Sequence, residues 1–359
     1  MSKIIADTYE ILAEIGSGGG GVVYLGRHLN LDKLVVLKAD KRSLLASPEA
    51  LRREVDAMKN LSHTYIPQVY DFIMEDGVVY TVMDYVEGES LDKPLKRGEH
   101  FPLLSVLEWS CELLEALVYL HSCPPYGILH GDIKPANIIL TPRGDIRLID
   151  FNISLFLGEE GAIRIGHSQG YASPEHYGLQ YGKSQNTTHK GVLASRADIT
   201  ELMSDTTILD ESNISEYNNG KNKERPFIVF LDCRSDIYGV GATMYHLLTG
   251  MRPAIDAKDV MPIANFSRDL PANIGSIVSK AMQPNPDFRF QTASEMLMTL
   301  TDAYERLYKK GHKQGLPRTI ASIKSHLMRS SLDNHVSRKH IKADVISRWQ
   351  ERFRKQFQD

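Results

Sequence analysis

Apolar and polar residues alternate with period two in YEILAEI (9–15), VVYLG (22–26) and LVVLK (34–38), the spacing of half-buried strands. A glycine run at 18–21 interrupts the alternation. Two more strands are expected at QVYDFIM (68–74) and VVYTVMDY (78–85), joined through Glu75, Asp76 and Gly77 as a hairpin. Between the third and fourth strands, Pro48 to Leu61 reads as a helix, with Ser47 as N-cap and Pro48 in its first position. From Leu91 the period changes to 3.6. Residues 103–122 carry an apolar stripe at Leu107, Cys111, Leu114, Leu117 and Leu120. DIYGVGATMYHLLTG (236–250) is apolar nearly all round and predicts a buried central helix closing on Gly250. NIGSIVSKAMQ and ASEMLMTLTDAYERLY supply further helices, whereas 178–232 is polar, weakly periodic and too long for an ordinary connection.

Composition changes this picture little: with 42% hydrophobic and 24% charged residues in 359, the chain is ordinary globular material. No apolar run approaches the ~18 residues that cross a bilayer, and MSKIIADTYE lacks the apolar stretch of a signal peptide, so a soluble, cytoplasmic protein is expected. Three cysteines, Cys111, Cys123 and Cys233, without a CxxC pair argue against disulfides or structural zinc and are expected to be buried small hydrophobes. The net charge of −3 hides an asymmetry, since Thr301 to Asp359 holds fourteen Lys and Arg against six Asp and Glu.

The chemistry lies in the order of several short blocks. GSGGGGVVY (16–24) fits GxGxxGxV at Gly16, Gly18, Gly21 and Val23, although taken alone it fits a floppy hairpin equally well. Lys38 follows on the next strand and Glu54 on the helix after it. HGDIKPAN (130–137), DFN (150–152), SPE (173–175), SDIYGVG (235–241) and Arg289 within NPDFR complete the series. In this order and spacing the chain resembles the protein kinase superfamily, and specifically the Ser/Thr kinases of bacterial, eukaryotic-like type, over about residues 7–300 apart from 178–232.

That resemblance implies an α+β fold of two lobes: an N-terminal five-stranded antiparallel sheet with one helix (1–86) and a larger helical lobe (87–302), with ATP between them. A basic helical tail (303–359) follows. Phosphoryl transfer is catalysed mainly by positioning and charge neutralisation, and the resemblance assigns those tasks residue by residue. Gly16, Gly18 and Gly21 let backbone N–H groups reach the phosphates; Lys38, oriented by Glu54, contacts them. Val23 and Val36 bracket adenine, Met83 is the gatekeeper, and the backbones of Asp84 and Val86 bind the adenine edge. Asp132 is the base facing the acceptor hydroxyl, Lys134 neutralises the transferred phosphoryl group, and Asn137 and Asp150 hold Mg²⁺. Ser168 touches Asp132 and Lys134. Glu175 pairs with Arg289, and Asp236 anchors the catalytic loop. His130, Phe151, Met58 and Val69 form an apolar stack between the lobes.

Three departures modify the expectation. Gly131 replaces the arginine of HRD and removes the partner of a phosphorylated activation loop, implying a non-RD kinase. Asn152 replaces the glycine of DFG, and Asn is the next best residue at positive φ. Ser173 replaces the alanine of APE. The segment 178–232 offers Ser and Thr residues, among them Thr187, Thr188, Ser195, Ser204, Thr206, Thr207, Ser212 and Ser215, as autophosphorylation targets or simply as polar loop. In the tail, Ile341, Val345, Trp349, Phe353 and Phe357 form a stripe beside basic residues, expected to pack back onto the helical lobe, a second copy or a partner protein. Contact with a membrane surface is a lesser option and nucleic acid is not expected. The expected partners are ATP and protein substrates. The rival reading is a pseudokinase scaffold, against which stands the complete set Lys38, Glu54, Asp132, Asn137 and Asp150.

Overall fold

The computed structural model describes residues 3–18, 21–40, 58–123, 127–150, 155–156, 168–177, 231–257, 259–266, 270–311, 316–317, 319–325 and 327. Glu54, Phe151, Asn152, the segment 178–230 and the stripe 341–357 lie outside the described residues. So does most of the 48–61 helix, of which Met58 and Lys59 are helical.

The N-terminal sheet has six antiparallel strands, one more than expected: β1 (Ile4–Ile5), β2 (Tyr9–Gly18), β3 (Gly21–His28), β4 (Lys33–Asp40), β5 (Val69–Glu75) and β6 (Val78–Asp84), in the order β1-β2-β3-β4-β6-β5. The additional strand pairs Ile4 with Glu10 and Ile5 with Tyr9. Two residues are too few to display alternation, yet Ile5 is fully buried. The β5–β6 hairpin turns on Asp76 (φ 52°) and Gly77 (φ 74°), two successive left-handed residues that match the twist of the flanking strands.

Alternation along β4 sorts the two faces of the sheet. Val35, Leu37 and Ala39 pack with Ile5, Tyr9, Tyr80 and Val82 in a small core. Val36 and Lys38 therefore project from the opposite face.

The helical lobe is built on α1 (Asp92–Lys96), α2 (Leu103–Ser122), α3 (Cys233–Thr249), α4 (Ala272–Ala281) and α5 (Ala293–Gly311). All five members of the α2 stripe, Leu107, Cys111, Leu114, Leu117 and Leu120, are fully buried, each leucine contributing roughly 2 kcal/mol of apolar burial. α3 is capped at its start by the Asp232 side chain, which accepts from the Arg234 N–H, and at its end by Gly250 at φ 69°. Short strands frame residues 130–137: β7 (Glu89–Ser90), β8 (Ile128–Leu129), β9 (Ile138–Leu140), β10 (Ile146–Leu148) and β11 (Leu155–Phe156).

Of the cysteines, only Cys111 is buried; Cys123 and Cys233 are half-buried, and all three are free thiols. The boundary expected at 302/303 falls inside α5, where Ala303 and Tyr304 are buried. The chain then returns to the lobe at 316–327. Ile320 and Ile323 enter the main core there, with Leu316 and Leu327 packed against it, and Lys324 pairs with Glu305. No helix among the described residues is long and apolar enough to cross a membrane.

Candidate active site

The register of the sheet gathers the expected nucleotide residues on one face. Gly16 pairs with Val23, Val23 with Lys38 and Leu25 with Val36. Lys38 in turn faces Thr81, and Val36 faces Met83. Paired residues share a face, so Gly16, Val23, Val36, Lys38 and Met83 line the side of the sheet away from its small core. Gly18 and Gly21 close the β2–β3 hairpin as partners, and Gly21 has φ 138°, a conformation that favours glycine. Asp84 turns its side chain the other way, where its carboxylate takes Lys33, Tyr70 and the Gln68 N–H. Its backbone N–H also donates to the Gln68 carbonyl at 2.9 Å, so an adenine edge would have to use its carbonyl and the backbone of Val86.

From the other lobe Asp150 reaches Lys38, with Nζ 2.7 Å from Oδ1 and both side chains largely buried. Asp150 has φ 70°, which costs a non-glycine residue about 1–2 kcal/mol and aims the carboxylate at the sheet. Lys38 is thus paired with Asp150 among the described residues; its expected partner Glu54 lies outside them.

The second cluster centres on Asp132. Lys134 Nζ donates to Asp132 Oδ2 and to Ser168 Oγ, both at 2.7 Å. Asn137 Nδ2 donates to the Asp132 carbonyl at 2.9 Å and to Asp132 Oδ2 at 3.2 Å, while Asn137 Oδ1 accepts from no described residue. Among the described residues no group of three or more His, Cys, Asp or Glu is placed to hold a metal. That fits Mg²⁺ in a phosphate site, which takes one or two protein oxygens and fills its shell from phosphate and water; Asn137 Oδ1 and the Asp150 carboxylate are of the right chemistry.

Buried groups hold the Asp132 loop in place. Asp236 accepts from the His130 N–H at 3.0 Å, the Gly131 N–H at 2.7 Å and His121 Nε2 at 2.9 Å. Burial alone would raise its pKa; the His121 hydrogen bond, together with the Gly131 N–H, outweighs burial and holds it below the usual carboxylate range. Burial lowers the pKa of His130. Its Nε2–H donates to the Ile149 carbonyl at 3.1 Å and its Nδ1 accepts from the Asp132 N–H at 3.3 Å. Met58 and Val69, the other described members of the expected apolar stack, are buried as well.

Arg289 is fully buried and forms a two-pronged pair with Glu175, both contacts 2.7 Å. Its remaining N–H groups donate to the carbonyls of Gln283, Arg234 and Pro284.

Three features escaped the reading of the sequence. Gly131 has φ 71°, so the residue that stands in place of an arginine also suits a left-handed turn whose N–H must reach Asp236. Gly131→Ala should therefore lower the melting temperature by roughly 2–5 °C, read by differential scanning calorimetry; an unchanged value would remove this backbone role. Gly239 and Gly241 let α3 approach its neighbours: a Cβ would lie 2.8 Å from Ile133 Cβ at the first and 2.8 Å from Ala281 Cβ at the second. His121, third donor to Asp236, carries no sequence signal, because its partner stands 115 residues away.

A recess of about 1020 Å³ lies beside Asp84, Tyr85 and Val86, walled by Tyr65, Glu115 and Arg147. Lys38, Asp132, Asn137 and Asp150 are not among its walls, so it is distinct from the cluster above.

Comparison with known proteins agrees with this geometry. The profile described as "Protein kinase domain" matches residues 9–229. Serine/threonine-protein kinase PknB of Mycolicibacterium smegmatis is 27% identical over 325 residues, covering 84% of this chain and 44% of the relative. PrkC of Bacillus subtilis is 26% identical over 320 residues, 85% and 42% of the two chains. A probable serine/threonine-protein kinase of Clostridium perfringens is 25% identical over 311 residues, 83% and 38%. The chain thus spans about two fifths of the length of these curated relatives. Its likeness to them extends through the Asp132 and Asp236 clusters, and with well over half of its residues matched to the family profile, the chain belongs to the protein kinase family.

Proposed function

We propose that the chain transfers the γ-phosphoryl group of ATP, with Mg²⁺, to Ser and Thr hydroxyls of proteins, itself included. The observation that carries this reading is the arrangement around Lys134, whose ammonium is held 2.7 Å from both Asp132 Oδ2 and Ser168 Oγ. A carboxylate fixed beside an ammonium can take the proton of an alcohol while the cation offsets the charge of the group being moved. Bound nucleotide would supply the transferable phosphoryl group, and a divalent metal would offset its charge. Lys38 would orient the phosphates, Asn137 Oδ1 and Asp150 would hold the metal, and Gly16, Gly18 and Gly21 would bring the backbone close. Ser168 keeps Lys134 turned toward Asp132.

Activity in this reading is of the non-RD kind, needing no arginine–phosphate contact at position 131, and it serves signalling. The striped segment 341–357 is the surface for a partner protein or a second copy.

Incubation of the purified full chain with ATP and Mg²⁺, followed by mass spectrometry, tests the proposal. Phosphoserine or phosphothreonine on the chain or on an added protein is expected. A rise in melting temperature with millimolar ATP–Mg²⁺ should accompany it, because a ligand at 100 times its Kd stabilises the native state by about 2.7 kcal/mol. Neither phosphorylated residues nor a shift would overturn the reading; a shift without transfer would point to a nucleotide-binding scaffold.

A further inference from the structure

Arg252 is an exposed guanidinium at a defined place beside the Asp132 cluster. It lies over the ring of Tyr171, 5.1 Å from the centroid, and forms no ion pair with any described residue. Tyr171 belongs to a closed turn: its N–H and that of Ala172 both donate to the Ser168 carbonyl at 3.0 Å. The same Ser168 holds Lys134, which holds Asp132. The turn is pressed against the Arg252–Pro253 backbone, since a Cβ on Gly170 would lie 2.5 Å from the Pro253 carbonyl oxygen. Contacts therefore run unbroken from Asp132 to Arg252, which places the guanidinium beside the approach to Asp132.

We propose that Arg252 selects acidic residues on the acceptor protein, in the sequence flanking the hydroxyl that is phosphorylated; this rests on the transfer reading above. Its ring contact fixes the guanidinium without neutralising it. His246, whose Nδ1 lies 2.5 Å from Tyr171 OH, is pushed down to about 4 by burial and by Arg252, and so adds no charge at neutral pH. The carboxylate that acts on Tyr171 from a distance, Asp92, is engaged by Lys96 and Ser90. Among the described residues Arg252 is thus a cation without an ion pair, flanked by exposed Met251 and Ile255.

The test uses the full chain and a series of synthetic peptides with one Ser or Thr acceptor, carrying Glu, Ala or Lys at each of the flanking positions in turn. At one position Glu should give a kcat/KM roughly three- to tenfold above Lys, through KM. Arg252→Glu should reverse that order at the same position and leave the all-Ala peptide within about twofold, an exchange of preference that mere packing on Tyr171 would not produce. Equal rates across the series, or a preference unmoved by Arg252→Glu, overturn the inference and leave the proposed function standing. Absence of transfer to every peptide overturns it as well, and autophosphorylation in the same preparation reports separately on the proposed function.

Discussion

Asp132→Asn should lower the rate of phosphoryl transfer by a factor of roughly 10²–10⁴, the range general bases contribute, with the KM for ATP changed less than about threefold. The substitution keeps the shape of the side chain, so Lys134 and Asn137 retain an oxygen to donate to, 2.7 and 3.2 Å away in the native arrangement. What disappears is the charge that receives a proton. Lys38→Met should behave differently: it removes the cation beside Asp150, and the ATP-induced rise in melting temperature should shrink along with the rate. Steady-state transfer from radiolabelled ATP and a thermal melt with nucleotide separate the two. Undiminished transfer by purified Asp132→Asn would strip Asp132 of its role.

Arg289→Leu should be the most destabilising single change, costing about 3–5 kcal/mol, the figure for breaking a buried ion pair from one side. In a domain of this size that is a fall in melting temperature on the order of 10 °C. The cost has two sources. Glu175 would keep a largely buried charge without its partner, and the carbonyls of Gln283, Arg234 and Pro284 would lose their donor. Adding Glu175→Leu to Arg289→Leu should restore part of the loss, because the orphaned carboxylate is then gone. Denaturant melts of the two single variants and the double variant measure the coupling; strictly additive losses would mean that the pair contributes nothing of its own.

Legibility in the sequence followed periodicity and spacing. The alternation in LVVLK placed Lys38 and Val36 on one face and Leu37 on the other, and the sheet register carried that placement to Val23 and Met83. Likewise the 3.6-residue stripe of α2 is buried at every position named from the pattern. β1 was invisible because two residues carry no period; tertiary pairing with Tyr9 and Glu10 makes it a strand. Glycines were the hardest to interpret. At 131 the sequence displays a missing arginine, while the left-handed backbone that suits a glycine there emerges only once its N–H is turned to Asp236. At 239 and 241 nothing local distinguishes a glycine that admits a neighbouring chain from one that merely weakens a helix. Long-range charge pairs divided in the same way: Glu175 with Arg289 was readable from family spacing, whereas His121 with Asp236 belongs to no motif.

The seating of Ile320 and Ile323 bears on how such a polypeptide can be shortened. These isoleucines belong to the main core of the helical lobe, and the Thr319 side chain bonds to Glu108 of α2. Severed just past α5, the remainder would bare an oily furrow to water, and its stickiness could be mistaken for an interaction belonging to the intact molecule. A trimmed version meant to report on solubility or self-association has to keep the chain through at least Leu327.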